Sequence, residues 1–357
     1  MLASGKLGIH PPGALGVAFY LHANADCFVG RSGSKSTEQL HKNGILRYLD
    51  GDVMRAVDIQ DRVFTNPLDA DSRGSLPELL FLCCTPVQLG EFTLEIIHYL
   101  ENLSSRGHMQ SVQNVRDYVP IILVLPNGIC TERMISEASD QLNESRLMGR
   151  LPNFTSDMAN ALQNRLVRGV AMQAGGRKGS GDDSVYLVKG KGWIEFAGCA
   201  ELEAERIQAI LSDKDYKFIH HERTSGTRLE FDKAMISIVL NVGGLIHTVD
   251  EDGNILDVRM GDLCVDPEKT EFVRKITEAV YRVGKAIGIY QEDETYESIW
   301  SVHRETILKN RGHVTSSLKG FYDSLDGGLD SVQLFTNEQW ILQPLIEYAV
   351  TSGMAAE

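Results

Sequence analysis

Residues 6–21 read KLGIHPPGALGVAFYL and contain, in order, the three parts of a dinucleotide-binding unit. A short apolar run leads into a glycine-containing turn, and the turn opens a helical pattern. In such a unit the pyrophosphate of the dinucleotide lies on the N-terminus of the helix. Gly13 and Gly16 occupy the second and third glycine positions of the fingerprint GxGxxG, with Ala14 and Leu15 between them. We therefore expect these four residues to contact a dinucleotide cofactor.

The first fingerprint position is a proline, Pro11. Proline fixes φ near −65° and offers no N–H, so this turn cannot be the usual one. Gly13, Gly16 and the helix N-terminus remain available to the pyrophosphate. The proline is therefore expected to lower the affinity for the cofactor without abolishing binding.

The end of the second predicted strand, residues 26–30, carries basic residues where an NAD-binding unit has an acid. In NAD-binding proteins that acid holds the ribose 2′-hydroxyl, whereas an arginine near this position suits a 2′-phosphate. Arg31 and Lys35 follow the strand here. They predict NADP(H) as the cofactor, and the alternative is a solvated basic loop.

A repeated strand–helix pattern continues the α/β domain. Residues 79–85 and 119–125 are predicted as buried parallel strands and residues 90–102 as an amphipathic helix. The second of these strands runs into the turn Pro126-Asn127-Gly128, at the carboxyl edge of the sheet, where open α/β sheets bind their ligands. Asn127 is either a local turn residue or a contact to cofactor and substrate.

The last part of this domain is predicted from shorter patterns. Strands are expected at residues 167–173, 185–190, 193–198 and 216–220, a helix at 201–212, a polar glycine-rich loop at 175–184, and a linker at 221–228.

Residues 230–245, EFDKAMISIVLNVGGL, form a predicted helix that is apolar except along one side. Lys233, Ser237 and Asn241 stand at i, i+4 and i+8, and at roughly 3.6 residues per turn they point the same way. A buried lysine is costly unless it has a partner or a task. Either the lysine reaches solvent from the first turn while the other two bond to backbone, or the three form a functional face. Further helices are predicted at residues 267–288, 296–309 and 337–353.

Composition excludes several classes of function. The net charge of −14 disfavours binding to nucleic acid or anionic membranes, and no apolar run approaches the length of a membrane span. The N-terminus lacks the apolar core of a signal peptide, so a cytoplasmic location is expected. The six cysteines are scattered and the histidines form no HExxH pair, so we predict reduced core cysteines at Cys83 and Cys84 and no metal site.

The order and spacing of short motifs give the chain a resemblance, over nearly its whole length, to the ketopantoate reductases (2-dehydropantoate 2-reductases). The matching motifs are PGALG at 12–16, Arg31, PNGICTE at 126–132, VRGV at 167–170, FDKAM at 231–235 with Asn241, DGNIL at 252–256, VDPE at 265–268 and HVTSSL at 313–318.

The resemblance implies an α/β fold in which an N-terminal Rossmann-like domain, residues 1–222, binds NADP(H). An all-helical domain like the C-terminal domain of 6-phosphogluconate dehydrogenase, residues 223–357, would follow and bind the substrate. The implied reaction is NADPH-dependent reduction of 2-dehydropantoate to pantoate, in pantothenate biosynthesis. The implied partner is a small 2-oxo acid, and a homodimer is among the oligomeric states that the sequence leaves open.

The resemblance also assigns roles to particular residues. Lys233 corresponds to the family's proton donor, and partial burial is expected to lower its pKa toward the working pH. Asn127 corresponds to an asparagine near both nicotinamide and substrate, and Asn241 and Ser317 correspond to substrate-binding residues. Ser237 stands one turn after the lysine, where the family has an asparagine, and is also expected to bind substrate.

The family's late glutamate aligns with Glu338, a predicted cofactor-site residue that could pair with Lys233 or orient a substrate hydroxyl. This alignment requires extra residues at about 323–331. Two alternatives stay open. The same chemistry could act on a different 2-oxo acid, because Ser237 and the extra residues reshape the substrate contacts, or the chain could be a non-catalytic NADP-binding regulatory protein.

Overall fold

The computed structural model describes residues 1–179, 184–325 and 339–354. It divides into two compact units. The first consists of Met1–Pro126 and Thr131–Gly226, and the second of Asn127–Cys130 and Thr227–Glu357. Glu338 and part of the predicted insertion at 323–331 lie outside the described residues.

The first unit alternates strands and helices. Its strands are β1 (Ala3–His10), β2 (Cys27–Val29), β3 (Ile45–Asp50), β4 (Val53–Asp58), β5 (Val63–Phe64), β6 (Pro77–Leu82), β7 (Ile121–Val124), β8 (Leu166–Met172), β9 (Gly175–Lys178), β10 (Val185–Val188), β11 (Trp193–Ala197) and β12 (Lys217–His221). Its helices are α1 (Ala14–His22), α2 (Lys35–Asn43), α3 (Pro67–Ser72), α4 (Leu89–Ser105), α5 (Val112–Tyr118), α6 (Thr131–Leu147), α7 (Ser156–Asn164) and α8 (Glu201–Leu211), with 3₁₀ turns at Gln60–Arg62 and Pro86–Gln88.

The main sheet has the strand order β12-β11-β8-β7-β6-β1-β2-β5. The strands from β8 to β5 are parallel, and β11 with β12 runs antiparallel to them. Successive residues of the central strands β6 and β7 are fully buried, as expected for a sheet covered on both faces. Leu79, Phe81, Ile121 and Leu123 pack in the same apolar cluster as residues of α1 and α8. The parallel order places the carboxyl ends of β1, β2, β6 and β7 at one edge of the sheet.

A second sheet of four strands, in the order β4-β3-β10-β9, packs against α1. The prediction that residues 175–184 form a loop is wrong at its start, because Gly175–Lys178 pairs antiparallel with β10. A Cβ at Gly175 would overlap the carbonyl oxygen of Ala14. The glycine that suggested a loop therefore permits a strand to lie directly on the helix backbone.

The second unit is helical. Its helices are α9 (Gly226–Ser237), α10 (Gly244–Ile246), α11 (Asp262–Val265), α12 (Pro267–Ala286), α13 (Tyr296–Lys309), α14 (Ser316–Ser324) and α15 (Gln339–Thr351), with a π-helical segment at Ile238–Gly243. Phe231, Met235, Tyr290 and Ile341 are among the buried residues of its core.

Two predictions for the central helix of this unit are corrected. The helix begins at Gly226, within the predicted linker, and it is not α-helical throughout, because residues 238–243 widen into a π-helix. A wider turn needs i→i+5 hydrogen bonds, which side-chain periodicity does not reveal.

The predicted architecture, an α/β Rossmann-like domain followed by an all-helical domain, is confirmed. Among the described residues, every helix is too short or too polar to span a lipid bilayer.

Candidate functional site

The turn after β1 forms an open, anion-compatible helix N-terminus. Gly13 is the N-cap of α1, and its N–H donates to the carbonyl oxygen of Pro11 at 2.8 Å. A Cβ at Gly13 would meet no described atom within 4 Å, whereas a Cβ at Gly16 would overlap the Pro11 carbonyl oxygen. Gly13 thus leaves space at the N-terminus of the helix, and Gly16 allows the helix to approach the strand. These are the roles of the second and third fingerprint glycines.

A dinucleotide fits the residues present at this turn. The N–H groups of Ala14, Leu15 and Gly16 belong to the first turn of α1, where they have no partner within the helix. The first turn carries no acidic residue, and no side chain in the described chain caps it. The N-terminal end of the helix dipole therefore faces the space that Gly13 leaves open, as a bound pyrophosphate requires.

His10, the last residue of β1, is a buried polar group that the sequence analysis missed. Its Nδ1–H donates to the Val29 carbonyl oxygen at 2.9 Å, and its ring lies 4.7 Å from that of Phe92. Burial, aided by the nearby Arg31 charge, lowers the pKa of His10 to about 4. The imidazole is therefore neutral near pH 7 and joins the ends of β1 and β2 without adding a charge.

The region predicted to bind a 2′-phosphate carries less net positive charge than its basic residues alone indicate. Arg31 forms an ion pair with Glu91 of α4, and the N–H of Ser32 donates to Glu95 at 2.7 Å. Lys35 is exposed as the first residue of α2. Two acids that are distant in sequence thus lie beside the arginine, and no pattern around residue 31 could have indicated them.

Arg168 of β8 is 3% exposed and lies within the first unit beside the end of β7. Its guanidinium donates to the carbonyl oxygens of Val124 at 2.5 Å and Pro126 at 2.8 Å. The charged residue in the VRGV motif therefore fixes the end of β7. A signal for it existed, since an arginine inside an apolar strand needs buried acceptors.

Residues 127–130 pack within the second unit. The N–H of Cys130 donates to the buried Glu230 carboxylate at 2.9 Å, and the N–H of Ile129 donates to the Trp340 carbonyl oxygen at 3.0 Å. Gly128 has φ of +133°, and a Cβ there would lie 3.0 Å from Trp340. The segment that begins with Asn127 is thus fastened to α9 and to α15.

Lys233, Ser237 and Asn241 follow Glu230 along the same helix. All three are half-buried, whereas Ala234, Met235 and Ile236 and the residues 238–240 are buried. The π-helical segment begins directly after Ser237 and contains Asn241. Segments of this kind are frequent at functional sites. The polar face predicted from sequence therefore keeps partial access to solvent.

Ser317 lies near the other end of this helix. It is half-buried in the first turn of α14, and the adjacent Leu318 packs so closely on Gly244 that a Cβ on the glycine would be 2.9 Å away. Gly244 follows the π-helical segment directly.

An ion cluster holds the beginning of α9. Arg228 donates to Asp232 at 2.8 Å and, through two nitrogens, to Glu294 at 2.8 and 2.9 Å. Its guanidinium also lies 4.4 Å from the centre of the Tyr290 ring. The Arg228 hydrogen bonds lower the pKa of the Glu294 carboxyl. This cluster orients the helix that carries Lys233.

The second unit carries five predicted site residues on connected elements, one of them exposed and four half-buried: Asn127, Lys233, Ser237, Asn241 and Ser317. An ammonium can donate a proton and stabilise developing negative charge, and neutral amides and hydroxyls can hold a carboxylate or hydroxyl without changing that charge. Within residues 1–179, 184–325 and 339–354, no group of three His, Cys, Asp or Glu side chains could hold a metal ion.

Solved structures share this fold over nearly the whole chain. D-mandelate dehydrogenase with NADH and anilino(oxo)acetate is 16% identical, with a TM-score of 0.62 covering 98% of this chain and 93% of that one. 2-Dehydropantoate 2-reductase from Methylococcus capsulatus is 16% identical, with a TM-score of 0.58 covering 98% of this chain and 91% of that one. Dimeric ketopantoate reductase from Staphylococcus aureus is 11% identical, with a TM-score of 0.52 covering 98% of this chain and 92% of that one. At these identities the likeness shows the fold. No family sequence model and no curated protein sequence matches the chain.

Proposed function

We propose that the chain is an NADPH-dependent 2-oxo acid reductase of the ketopantoate reductase type that converts 2-dehydropantoate to pantoate in pantothenate biosynthesis. The observation that carries the proposal is the half-buried Lys233 on a π-containing helix, in a chain that has the fold of such reductases throughout. In this proposal residues 1–222 bind the cofactor and residues 223–357 supply the proton donor.

The proposed chemistry divides between cofactor and chain. When bound, the nicotinamide would supply a hydride to the keto carbon. Lys233 donates a hydrogen bond to the keto oxygen, transfers a proton to it as the alcohol forms, and regains a proton from water. Asn127, Ser237, Asn241 and Ser317 hold the carboxylate and hydroxyl groups of the substrate. The N-terminus of helix α1 would hold the pyrophosphate of the cofactor.

The proposed preference for NADPH rests on Arg31 and Lys35, and Glu338 is proposed as a further contact at the cofactor site. A homodimer is part of the proposal, in keeping with the dimeric reductase named above. Size-exclusion chromatography with light scattering tests this last point.

A second candidate is the same reduction with NADH on a different 2-oxo acid. Two observations favour it. Glu91 pairs with Arg31 and offsets the charge that a 2′-phosphate needs, and D-mandelate dehydrogenase, which has this fold, was solved with NADH and anilino(oxo)acetate.

Steady-state oxidation of NADPH and NADH with a panel of 2-oxo acids separates these candidates. The first predicts the highest kcat/KM with NADPH and 2-dehydropantoate, and the second with NADH and a different 2-oxo acid. If every acid tested leaves both dinucleotides unoxidised, while either still binds in a fluorescence titration, the chain is a non-catalytic binding protein and both candidates are wrong.

A further inference from the structure

A cavity of about 350 Å³ lies in the first unit at the amino ends of β1 and β6, between α5 and α8. This is the opposite end of β1 from the Gly13 turn, and the strand of eight residues separates the two by roughly 25 Å. The walls include Arg116, Arg165, Arg206, Glu78 and Leu202. The cavity therefore belongs to neither the dinucleotide turn nor the polar face of α9.

The arginines in the wall of this cavity do not use all their hydrogen-bond donors. Arg165 is 5% exposed, and one of its terminal nitrogens donates to the Arg116 carbonyl oxygen. The Nε–H groups of Arg165 and Arg116 are buried and have no partner in the described part of the chain. A buried guanidinium N–H without an acceptor is costly. Arg165 and Arg116 therefore lie in the wall of the cavity with part of their hydrogen-bonding capacity unused.

The acceptors already present are engaged. Glu78 accepts from the N–H of Gly5 at 2.9 Å and pairs with Arg206 at 3.6 Å. Asp117, also in the wall, accepts from Gln113 at 2.7 Å. Glu78 and the buried Glu203 act to raise the pKa of Arg165, yet burial has the larger effect and lowers it. Burial of the Arg165 charge therefore outweighs the attraction of these two carboxylates.

We infer that this cavity binds a small organic anion, with its carboxylate or phosphate group on Arg116, Arg165 and Arg206 and a short apolar part against Leu202. Arginine presents planar pairs of donors that match both oxyanions. The volume lies at the lower end of the roughly 300–1,000 Å³ of small-molecule sites, so the ligand is a compact molecule.

Calorimetric titration of the full chain with inorganic phosphate and, separately, with isobutyrate tests the inference at fixed ionic strength. We expect saturable binding of at least one of them, which identifies the group that the arginines prefer. Arg206→Gln, at an exposed position on α8, should weaken it at least tenfold. Leu202→Asp should do the same by placing a carboxylate at the wall.

Two control variants separate this site from other anion sites. Arg146→Gln makes the same charge change at an exposed position on α6 and should leave binding unchanged. Lys233→Ala should also leave it unchanged, so the result does not depend on the proposed reaction. Circular dichroism confirms that each variant is folded. Absence of saturable binding, or equal binding by the wild type, Arg206→Gln and Leu202→Asp, would overturn the inference.

Discussion

Lys233 is the residue on which the proposed reaction depends, because it supplies the proton that the new alcohol needs. General-acid catalysis by a positioned side chain contributes about 10² to 10⁴ in rate. We expect Lys233→Ala to lower kcat at least 100-fold and to leave the dissociation constant of NADPH nearly unchanged. Steady-state kinetics and fluorescence titration measure the two quantities.

The controls for this prediction remove other groups. Ser237→Ala, Asn241→Ala and Ser317→Ala take away hydrogen bonds rather than a proton and should act mainly on KM. Lys275→Ala removes a lysine that is 70% exposed on α12 and should change neither constant. Wild-type turnover in Lys233→Ala would show that α9 is only a packed core helix.

Glu91 should set the choice between the two dinucleotides, because it forms an ion pair with the arginine expected to bind a 2′-phosphate. Replacing it by glutamine removes the negative charge that is paired with Arg31 and leaves Glu95 as the nearby acid. Charge-assisted contacts contribute roughly 1.5 to 3 kcal/mol each, so Glu91→Gln should raise the preference for NADPH over NADH about tenfold. Arg31→Ala should lower it. Equal shifts in Glu91→Gln and in Glu38→Gln, an exposed acid on α2, would contradict this role.

His10 should make the stability of the chain sensitive to mild acid. Its pKa falls from 6.5 in the unfolded chain to about 4 in the folded one. The unfolded state therefore binds more protons between these values, and stability is lost as the pH falls through this window, by about 3 kcal/mol in full. Urea unfolding at several pH values measures the effect.

His10→Asn keeps an N–H that can donate to Val29 and removes the titration. This variant should be less stable than the wild type at pH 7, where the ring packing is lost, but its stability should fall less between pH 6.5 and 4. Parallel curves for the two proteins would mean that His10 does not carry the effect.

The element that matters most for the candidate site is the helix from Gly226 to Ile246 with the segment fastened to it. Glu230 accepts from the N–H of Cys130 and so fixes residues 127–130 against α9. Glu230→Ala leaves that N–H without its acceptor, at a cost of about 1 to 3 kcal/mol, and should also raise KM by displacing Asn127. Thermal unfolding and kinetics on the best substrate measure both effects.

The conservative variant decides how Glu230 acts. Glu230→Gln keeps an oxygen that can accept from Cys130, and it should retain KM close to the wild-type value. If glutamine is as damaging as alanine, the negative charge of Glu230 rather than its hydrogen bond is what the site needs.

For the whole molecule, the two units have separate hydrophobic cores. Phe231 is fully buried in the helical unit and Phe81 in the sheet. Truncating either to alanine should cost about 3 to 5 kcal/mol. Hydrogen exchange followed by mass spectrometry should show faster exchange within residues 227–325 for Phe231→Ala and within the central strands for Phe81→Ala. If both variants accelerate the same peptides, the chain opens as one cooperative unit.

The sequence alone was enough for features that depend on neighbours along the chain. The strand, turn and helix at residues 6–21, the strands around Leu80 and Ile122, and helix α13 follow from apolar periodicity and turn residues, which act over one or two turns of chain. The polar face of α9 was visible for the same reason, since side chains four residues apart share a helical face.

Only the tertiary structure decided which residues contact those features. Glu91 beside Arg31, Glu230 beneath Cys130, and a strand at Gly175 lying on α1 each join residues far apart in sequence. The π-helical turn at Ile238–Gly243 also left no mark in the periodicity. Local propensity fixes the conformation of a segment. The partner of a buried charge, or the element that packs on a glycine, is decided by packing over the whole unit, because a buried polar group without a hydrogen-bond partner is too costly.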